Sequence, residues 1–542
     1  MNRSDTDIPS RGTGWRSWVA TLGLCLALLP LHQAHALTMA EALAISAGDN
    51  DARIVALQAK LGKNDPGMIP FLQAMAADSV KVSGQLVFIV DGDVAKDAVT
   101  GQTVALPADA EDVVNNNRMS SEIEAFLAAG KLSSPDLDAR KEGIDALSAV
   151  ADESKLPIID QALSTEKDAK LKALLEVVRA KALLAAAEPA RRIEGARFLS
   201  EAGSPEARAL LMERLQDDAE TDPSVRQVLS IALDKVNSSL AWGERAGVVF
   251  TGISLGSILL LAALGLAITY GLMGVINMAH GELMMIGAYA TFFIQNLFRQ
   301  YLPDAFDWYI LLAVPMSFLA SALVGAVLER TVFRFLYGRP LETLLASWGV
   351  SLVLMQGVRT IFGAQNVQVE NPSWLSGGFD LFSNLTLPYN RLAIIAFAVL
   401  VLVGMTLLIT KTRMGLFVRS VTQNRPMASC LGVNTARVDT MAFSLGAGIA
   451  GLAGCALSQI GNVGPDLGQS YIVDSFMVVV LGGVGQIAGT VYAALGLGLV
   501  NKFLEGWTGA VLAKIFVLVI VVIFIQKRPQ GLFAMKGRSA EA

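Results

Sequence analysis

The sequence predicts an all-α polytopic membrane protein of about eight or nine membrane segments, some discontinuous, preceded by a mostly helical, repeat-like extracytoplasmic domain. Two observations carry this expectation. Of 542 residues, 53% are hydrophobic and only 17% charged, and after one short N-terminal run the long apolar stretches all follow Gly247. The charge divides at the same place, with 25 basic and 35 acidic residues before Trp242 but 18 and 13 from Trp242 onward. An acidic soluble part thus precedes a basic membrane part, and neither has the charge footprint of a nucleic-acid-binding protein.

The first element is a leader. Arg11 and Arg16 precede an apolar stretch from Trp18 to Leu31, and Ala34-His35-Ala36 follows with the small-x-small pattern of a cleavage site. The stretch is short of the roughly 20 apolar residues that a transmembrane helix needs. Residues 1–36 are expected to be a signal peptide cleaved after Ala36, with an uncleaved anchor as the alternative. Cys25 would leave with it, and Cys430 and Cys455 fall in a loop and an apolar helix, so no disulfide framework follows.

Residues 37–240 form the expected extracytoplasmic domain. Between 85 and 106, GQLVFIV and TGQTVAL flank the turn formers Asp91-Gly92-Asp93, which predicts a small β element. The remainder is helical in pattern. Arg140, Glu142, Gly143, Leu147, Ser148 and Leu163 recur 52 residues later as Arg192, Glu194, Gly195, Leu199, Ser200 and Leu215. This resembles paired-helix repeats that bury their apolar faces by stacking, although a plain helical bundle explains it nearly as well. No nucleophile, metal-ligand cluster or phosphate loop stands out, so docking or assembly is the expected role.

Residues 245–535 form the membrane domain. Apolar spans lie near 248–270, 282–299, 309–329, 341–363, 391–410, 438–460, 487–503 and 510–526, with a shorter stretch at 475–486. Basic loops are expected in the cytoplasm: Arg330, Arg334 and Arg339 mark one, Arg413, Arg419, Arg425 and Arg437 a second, and Lys536 and Arg538 the tail at 536–542. The loops at 300–308 and 461–474 carry Asp304, Asp307, Asp466 and Asp474 and no Lys or Arg. An outside N-terminus with an inside C-terminus requires an odd number of crossings, so 475–486 must supply a ninth.

Two interruptions of these spans are candidate sites. Gly271 to Ala290 places Asn277, His280 and Glu282 in an apolar run, and His280 is the only histidine after Ala36. Such groups at membrane depth usually face a bundle interior or an aqueous path. The alternative is that Asn277 caps a helix with His280 at its third position. Gly482, Gly483 and Gly485 interrupt the second run, and broken helices need protein or a cavity beside their exposed backbone. Close helix packing is the competing explanation for these glycines.

Nucleotide and metal chemistry find no support. Gly483-Val484-Gly485-Gln486-Ile487-Ala488 fits GxGxxA, but in a membrane segment and without a preceding strand, and no G-x-x-x-x-G-K-[ST] occurs. His280-Gly281-Glu282 lacks the second histidine of H-E-x-x-H. No cofactor, metal or catalytic residue is expected, and any ATP must be bound by another chain.

The run GVINMAHGELMMIGAY (274–289) resembles the signature of the branched-chain amino acid class of ABC permeases. The match continues through TQNRPMASCLGVNTARVD (422–439), GNVGPDLGQSYIVDSFMVVVLGGVGQIAGT (461–490) and RPQGLFA (528–534). The second and third closely resemble the urea-importing branch, specifically its first permease subunit. The resemblance implies a non-enzymatic transport subunit in an inner membrane. It also implies two ATP-binding subunits, a second homologous permease subunit, a periplasmic substrate-binding protein and membrane lipid as partners. Residues 411–437 resemble the cytoplasmic coupling loop of ABC importers, which puts Arg419, Gln423, Arg425, Ala428 and Gly432 at the ATPase; Met427-Ala428-Ser429 departs from the common Glu-Ala-Ala triplet. The long segment ahead of the membrane part also resembles the urea-importing branch. A urea or short-chain amide permease is the first reading, a branched-chain amino acid permease the second, and a receptor-like sensor the third.

Overall fold

The computed structural model describes residues 37–533 except 61–66, 93, 217–218 and 275–276. The expected leader at 1–36 and the tail at 536–542 lie outside the described residues. Two compact units divide the chain, Met1–Val236 and Asn237–Ala542.

The first unit opens with α1 (Met39–Ser46), α2 (Asn50–Gln58) and α3 (Met68–Ala76). Thr38 starts α1 through a capping box, accepting from the Glu41 amide while Glu41 accepts from the Thr38 amide. Then come β1 (Val80–Ser83), β2 (Leu86–Asp91), β3 (Val94–Asp97), β4 (Thr103–Val104) and β5 (Glu111–Asp112), an antiparallel sheet in the order β4-β3-β2-β1-β5. It extends beyond 85–106 on both sides, because Val80 pairs with Ile89 and Lys81 with Asp112. Phe71, Leu72, Met75, Val87, Met119 and Ile123 form the core between sheet and helices.

Six helices follow: α4 (Asn117–Leu132), α5 (Leu137–Ala149), α6 (Leu156–Thr165), α7 (Ala169–Leu184), α8 (Pro189–Ala202) and α9 (Pro205–Arg214). The 52-residue recurrence corresponds to repeated geometry. A Cβ on Gly143 would stand 3.0 Å from Ala128 O, and one on Gly195 2.8 Å from Ala180 O, so each glycine lets the second helix of its copy lie against the first. Arg140 donates to Ser134 O and Pro135 O and pairs with Glu166 at 2.9 Å; Arg192 donates to Ala186 O and Ala187 O and pairs with Glu220 at 2.8 Å. The arginine thereby ties the loop ahead of its own helix to the loop that opens the next copy.

The second unit begins within α10 (Pro223–Met273) and continues through α11 (His280–Tyr301), α12 (Tyr309–Thr331) and α13 (Pro340–Phe362). A hairpin of β6 (Gly378–Phe382) and β7 (Leu385–Pro388) leads to α14 (Tyr389–Lys411), α15 (Arg413–Gln423), α16 (Arg425–Cys430), α17 (Thr435–Ser458), α18 (Leu467–Gly482), α19 (Ile487–Thr508) and α20 (Ala510–Lys527). Among the described residues, seven helices are long and apolar enough to cross a membrane: α10, α12, α13, α14, α17, α19 and α20. Between them lie α11, whose apolar face is broken by buried His280, Glu282 and Gln295, and α18, which has only 16 residues. The protein is an all-α polytopic membrane protein.

Among the seven, α17 is the most enclosed, and its glycines explain how. A Cβ on Gly454 would lie 1.9 Å from Met284 O, on Gly446 2.7 Å from Gly265 O and on Gly451 2.4 Å from Ser317 O. Only hydrogen fits at these three contacts, so α17 meets α11, α10 and α12 backbone to backbone.

The two ends of α12 identify the two ends of the bundle. At its start, the Tyr309 hydroxyl donates to Glu370 O (2.6 Å), the Ser373 amide donates to Asp307 (2.8 Å), and Val367 and Val463 exchange backbone bonds of 2.8 Å. At its finish, Thr440 donates to Glu329 (2.6 Å), and Asp439, the residue before Thr440, is paired with Arg425. The 300–308 loop thus lies at one end with residues 367–373 and Val463, away from the basic loops at 330–339 and 411–437.

Candidate functional site

Helix α10 stops where Gly274 takes φ +69° and its amide closes on Tyr270 O (2.8 Å). Asn277 then turns the chain: its Oδ1 accepts from the Ala279 amide (3.0 Å) and its carbonyl from the His280 amide (3.2 Å). His280 is therefore the first residue of α11 rather than the third. Its ring reaches back to α10, with Nε2 3.0 Å from Ala262 O, and Gly265 makes room, since a Cβ there would be 3.0 Å from His280 Cε1.

Glu282, one turn-half further, points instead at α13 and accepts from the Ser351 hydroxyl (2.9 Å). Ser347 supports the same turn, its oxygen accepting from the Met278 amide (3.1 Å). Asn277, His280 and Glu282 are 0%, 0% and 1% exposed, yet each keeps one polar atom without a hydrogen-bond partner among the described residues: Asn277 Nδ2, His280 Nδ1 and Glu282 Oε2. Unpaired buried polar atoms are uncommon and each needs an explanation.

The site lies in the middle of the bundle. Ser347 and Ser351 are seven and eleven residues into the 23-residue α13, and a Cβ on Gly281 would stand 2.4 Å from Gly468 O at the start of α18. Two helices, α11 and α18, thus begin side by side at this depth. Asp466 and Arg359 are the charged groups near enough to act on Glu282. Tyr289, two turns along α11, adds another buried hydroxyl without a partner among the described residues.

Sequence reasoning missed the α13 contribution. Thr343, Ser347 and Ser351, spaced by four, are the buried residues of a helix that is otherwise largely exposed. That spacing is the signal that could have revealed them.

Gly482, Gly483 and Gly485 sit elsewhere. Gly482 meets Gly489 backbone to backbone where α18 turns into α19, and Gly483, at φ +99°, leaves only 2.4 Å between a Cβ and Phe533 O. The amide of Leu532 donates to Leu481 O (2.8 Å), so the end of the described chain covers this turn. A Cβ on Gly271 would be 3.4 Å from Gly485 Cα. The fourteen residue steps of α18 from Gly468 to Gly482, roughly 21 Å at 1.5 Å per residue, separate this turn from the Gly281–Gly468 contact. The two interruptions are distinct places.

The 411–437 segment folds as two short helices. Arg419 bonds back to Gly415 O (3.3 Å), Gln423 is exposed, and Gly432 is an open turn at φ +84°. Arg425 lies over the Tyr337 ring at 4.6 Å and pairs with Asp439. Ala428 is buried, packed inward with Val421, Val438 and Ala442. The outward apolar residues are Leu416, Phe417, Met427 and Leu431, none of them among the residues expected at the ATPase.

The comparisons with known proteins bear on this half of the chain. A family model described as the branched-chain amino acid transport system permease component matches residues 248–525. BraD of Pseudomonas aeruginosa, a high-affinity branched-chain amino acid transport system permease protein, is 29% identical over 287 residues, covering 52% of this chain and 93% of BraD. LivH of Salmonella typhimurium is 30% identical over 294 residues, covering 52% and 94%. LivM of Escherichia coli K12 is 26% identical over 305 residues, covering 52% and 69%. No solved structure matches. The match takes in α11, α13 and the 411–437 segment and leaves the first unit outside it. On a family match over more than half its length, the chain belongs to the branched-chain amino acid transport system permease family.

Proposed function

We propose that this chain is an inner-membrane permease subunit of an ATP-driven importer whose solute is urea or a short-chain amide. The observation that carries the reading is the mid-bundle turn at 277–282, where three buried side chains each hold an unsatisfied polar atom. Leaving such an atom unpaired costs about 1–3 kcal/mol. A solute or water passing this point relieves that cost, which is the behaviour of a path rather than of a packed core.

Urea suits the chemistry offered. It is planar and neutral, with N–H donors for Glu282 Oε2 and a carbonyl that can accept from Asn277 Nδ2, while Ser347 and Ser351 add hydroxyls. The cycle is alternating access. A periplasmic binding protein delivers solute, two ATPase subunits close against the 411–437 segment, and this chain rocks against a second permease subunit. Leu416, Phe417, Met427 and Leu431 offer the ATPase an apolar face. The first unit lies on the periplasmic side in this reading, because three membrane segments, α10, α11 and α12, separate it in the chain from the basic loop at 330–339.

A branched-chain amino acid is the second reading. The names of the relatives favour it, as does the presence of Arg359 and Asp466 near Glu282, since opposite charges suit a zwitterion. Uptake by the complete transporter, in a strain lacking other urea and leucine carriers, separates the two. Accumulation of labelled urea that excess leucine does not inhibit supports the first; leucine accumulation without urea transport refutes it.

A further inference from the structure

A groove of about 440 Å³ lies between α12 and α17, lined by Phe318, Ala322, Met441 and Leu445 toward the middle and by Arg330 and Arg437 at one end. The two helices run antiparallel here, so both arginines fall at the bundle end that carries the basic loops. Twelve residues separate Phe318 from Arg330, roughly 18 Å of helix at 1.5 Å per residue.

The charges are uncompensated at the surface. Both arginines are exposed, and neither has an ion-pair partner among the described residues. The nearby carboxylates are buried and engaged: Asp439 (1% exposed) with Arg425, and Glu329 (0%) with the Thr440 hydroxyl, which also lines the groove. Arg334 and Arg425 add two more cations to this end. Positive charge therefore dominates against these two carboxylates.

We propose that this groove binds one anionic phospholipid, its phosphate between Arg330 and Arg437 and an acyl chain along Phe318, Ala322, Met441 and Leu445. Three features select a lipid. The groove is mainly apolar along its length, with the Thr440 and Ser444 hydroxyls in its wall, and cationic at one end, which is the polarity of a lipid; a small soluble anion would use the arginines and leave the apolar floor open to water. The groove follows the seam of α12 and α17 as a furrow over roughly 18 Å, a path that an extended acyl chain can follow. Basic pockets between helices near the cytoplasmic face are the known setting for anionic headgroups. This inference is independent of which solute is carried.

The test uses the full-length chain, extracted in mild detergent and transferred to native mass spectrometry after incubation with phosphatidylglycerol or phosphatidylcholine. One phosphatidylglycerol should stay bound, and Arg330→Gln/Arg437→Gln should lower that occupancy at least tenfold, while Arg330→Lys/Arg437→Lys retains most of it. Both positions are exposed, so the glutamine pair should fold, and the lysine pair controls for this. Photocrosslinking from benzoylphenylalanine at position 441, in nanodiscs of the same lipids, should then give a phospholipid adduct. Equal retention of phosphatidylcholine, unchanged occupancy in the glutamine pair, or an adduct to another polypeptide from position 441 would overturn the proposal.

Discussion

Arg425, on the short helix α16, forms an ion pair with Asp439, which sits one turn into α17 and is 1% exposed. The same guanidinium covers the Tyr337 ring. A segment otherwise held by a small cluster around Val421, Ala428 and Val438 is thereby tied to the most enclosed helix of the bundle. Motion of α16 is expected to reach the core through this pair.

Breaking the pair from one side leaves the Asp439 carboxylate buried without its cation, which is destabilising even though Arg425 itself is 39% exposed. Arg425→Ala should therefore lower the thermal midpoint of the purified chain markedly. Arg425→Ala/Asp439→Asn should recover most of the loss, because the stranded charge is gone. A double variant as unstable as the single one would show that the two residues do not act on each other.

His280 offers a second comparison. If its unpaired ring nitrogen serves the path, His280→Gln keeps a polar group there and should retain substantial uptake, whereas His280→Leu should lose at least tenfold with assembly intact. The ring also supports α11 through Ala262 O, so co-purification of the ATPase subunits has to be measured alongside. Wild-type uptake by His280→Leu would return the residue to a packing role.

The repeat in the first unit carries a pH prediction. Burial pushes the Glu220 carboxyl up, but the Asp222 amide and the Arg192 guanidinium outweigh it and hold the group below its ordinary value of 4.5. Glu166 behaves alike, with the Asp168 amide and Arg140 overriding burial. A depressed carboxylate stabilises the fold above its unfolded value and loses that contribution as pH falls through the folded one. Hydrogen exchange over residues 137–236 of the intact chain should accelerate below about pH 4.5, and Arg192→Ala should abolish much of that dependence. Protection that is flat from pH 6 to pH 3 would contradict it.

Orientation has a direct assay. Alkaline phosphatase fused after Val236 should be active and fused after Arg425 inactive, following the positive-inside rule. The opposite pattern would invert the membrane arrangement and move the ATPase contact away from the 411–437 segment.

The all-α membrane class was legible in the long apolar stretches that follow Gly247, and the candidate site because polarity at membrane depth is conspicuous: Asn277, His280 and Glu282 interrupt a run that is otherwise apolar. The partner stripe was not, because Ser347 and Ser351 are small and read as ordinary residues of an apolar helix until Met278 and Glu282 are seen against them. Gly143 and Gly195 were visible as a recurrence, and their backbone contacts supply its cause. β5 was invisible for the opposite reason: two acidic residues become a strand only through pairing with Lys81 and Val82 thirty residues earlier. The inward packing of Ala428 is likewise a tertiary fact, since a short helix with mixed residues does not declare its buried face.

The most direct measurement of whether the 277–282 turn is a solute path is cysteine accessibility at position 351, across from Glu282. The two cysteines of the described chain, Cys430 and Cys455, are first replaced by serine and alanine, and Ser351→Cys is introduced into the reconstituted transporter. A small polar thiol reagent should label position 351, at a rate that changes at least severalfold between ATP-free and ATP-trapped states and falls when urea is present. No labelling in any state, with transport intact, would show that the turn is sealed core and that the solute crosses elsewhere.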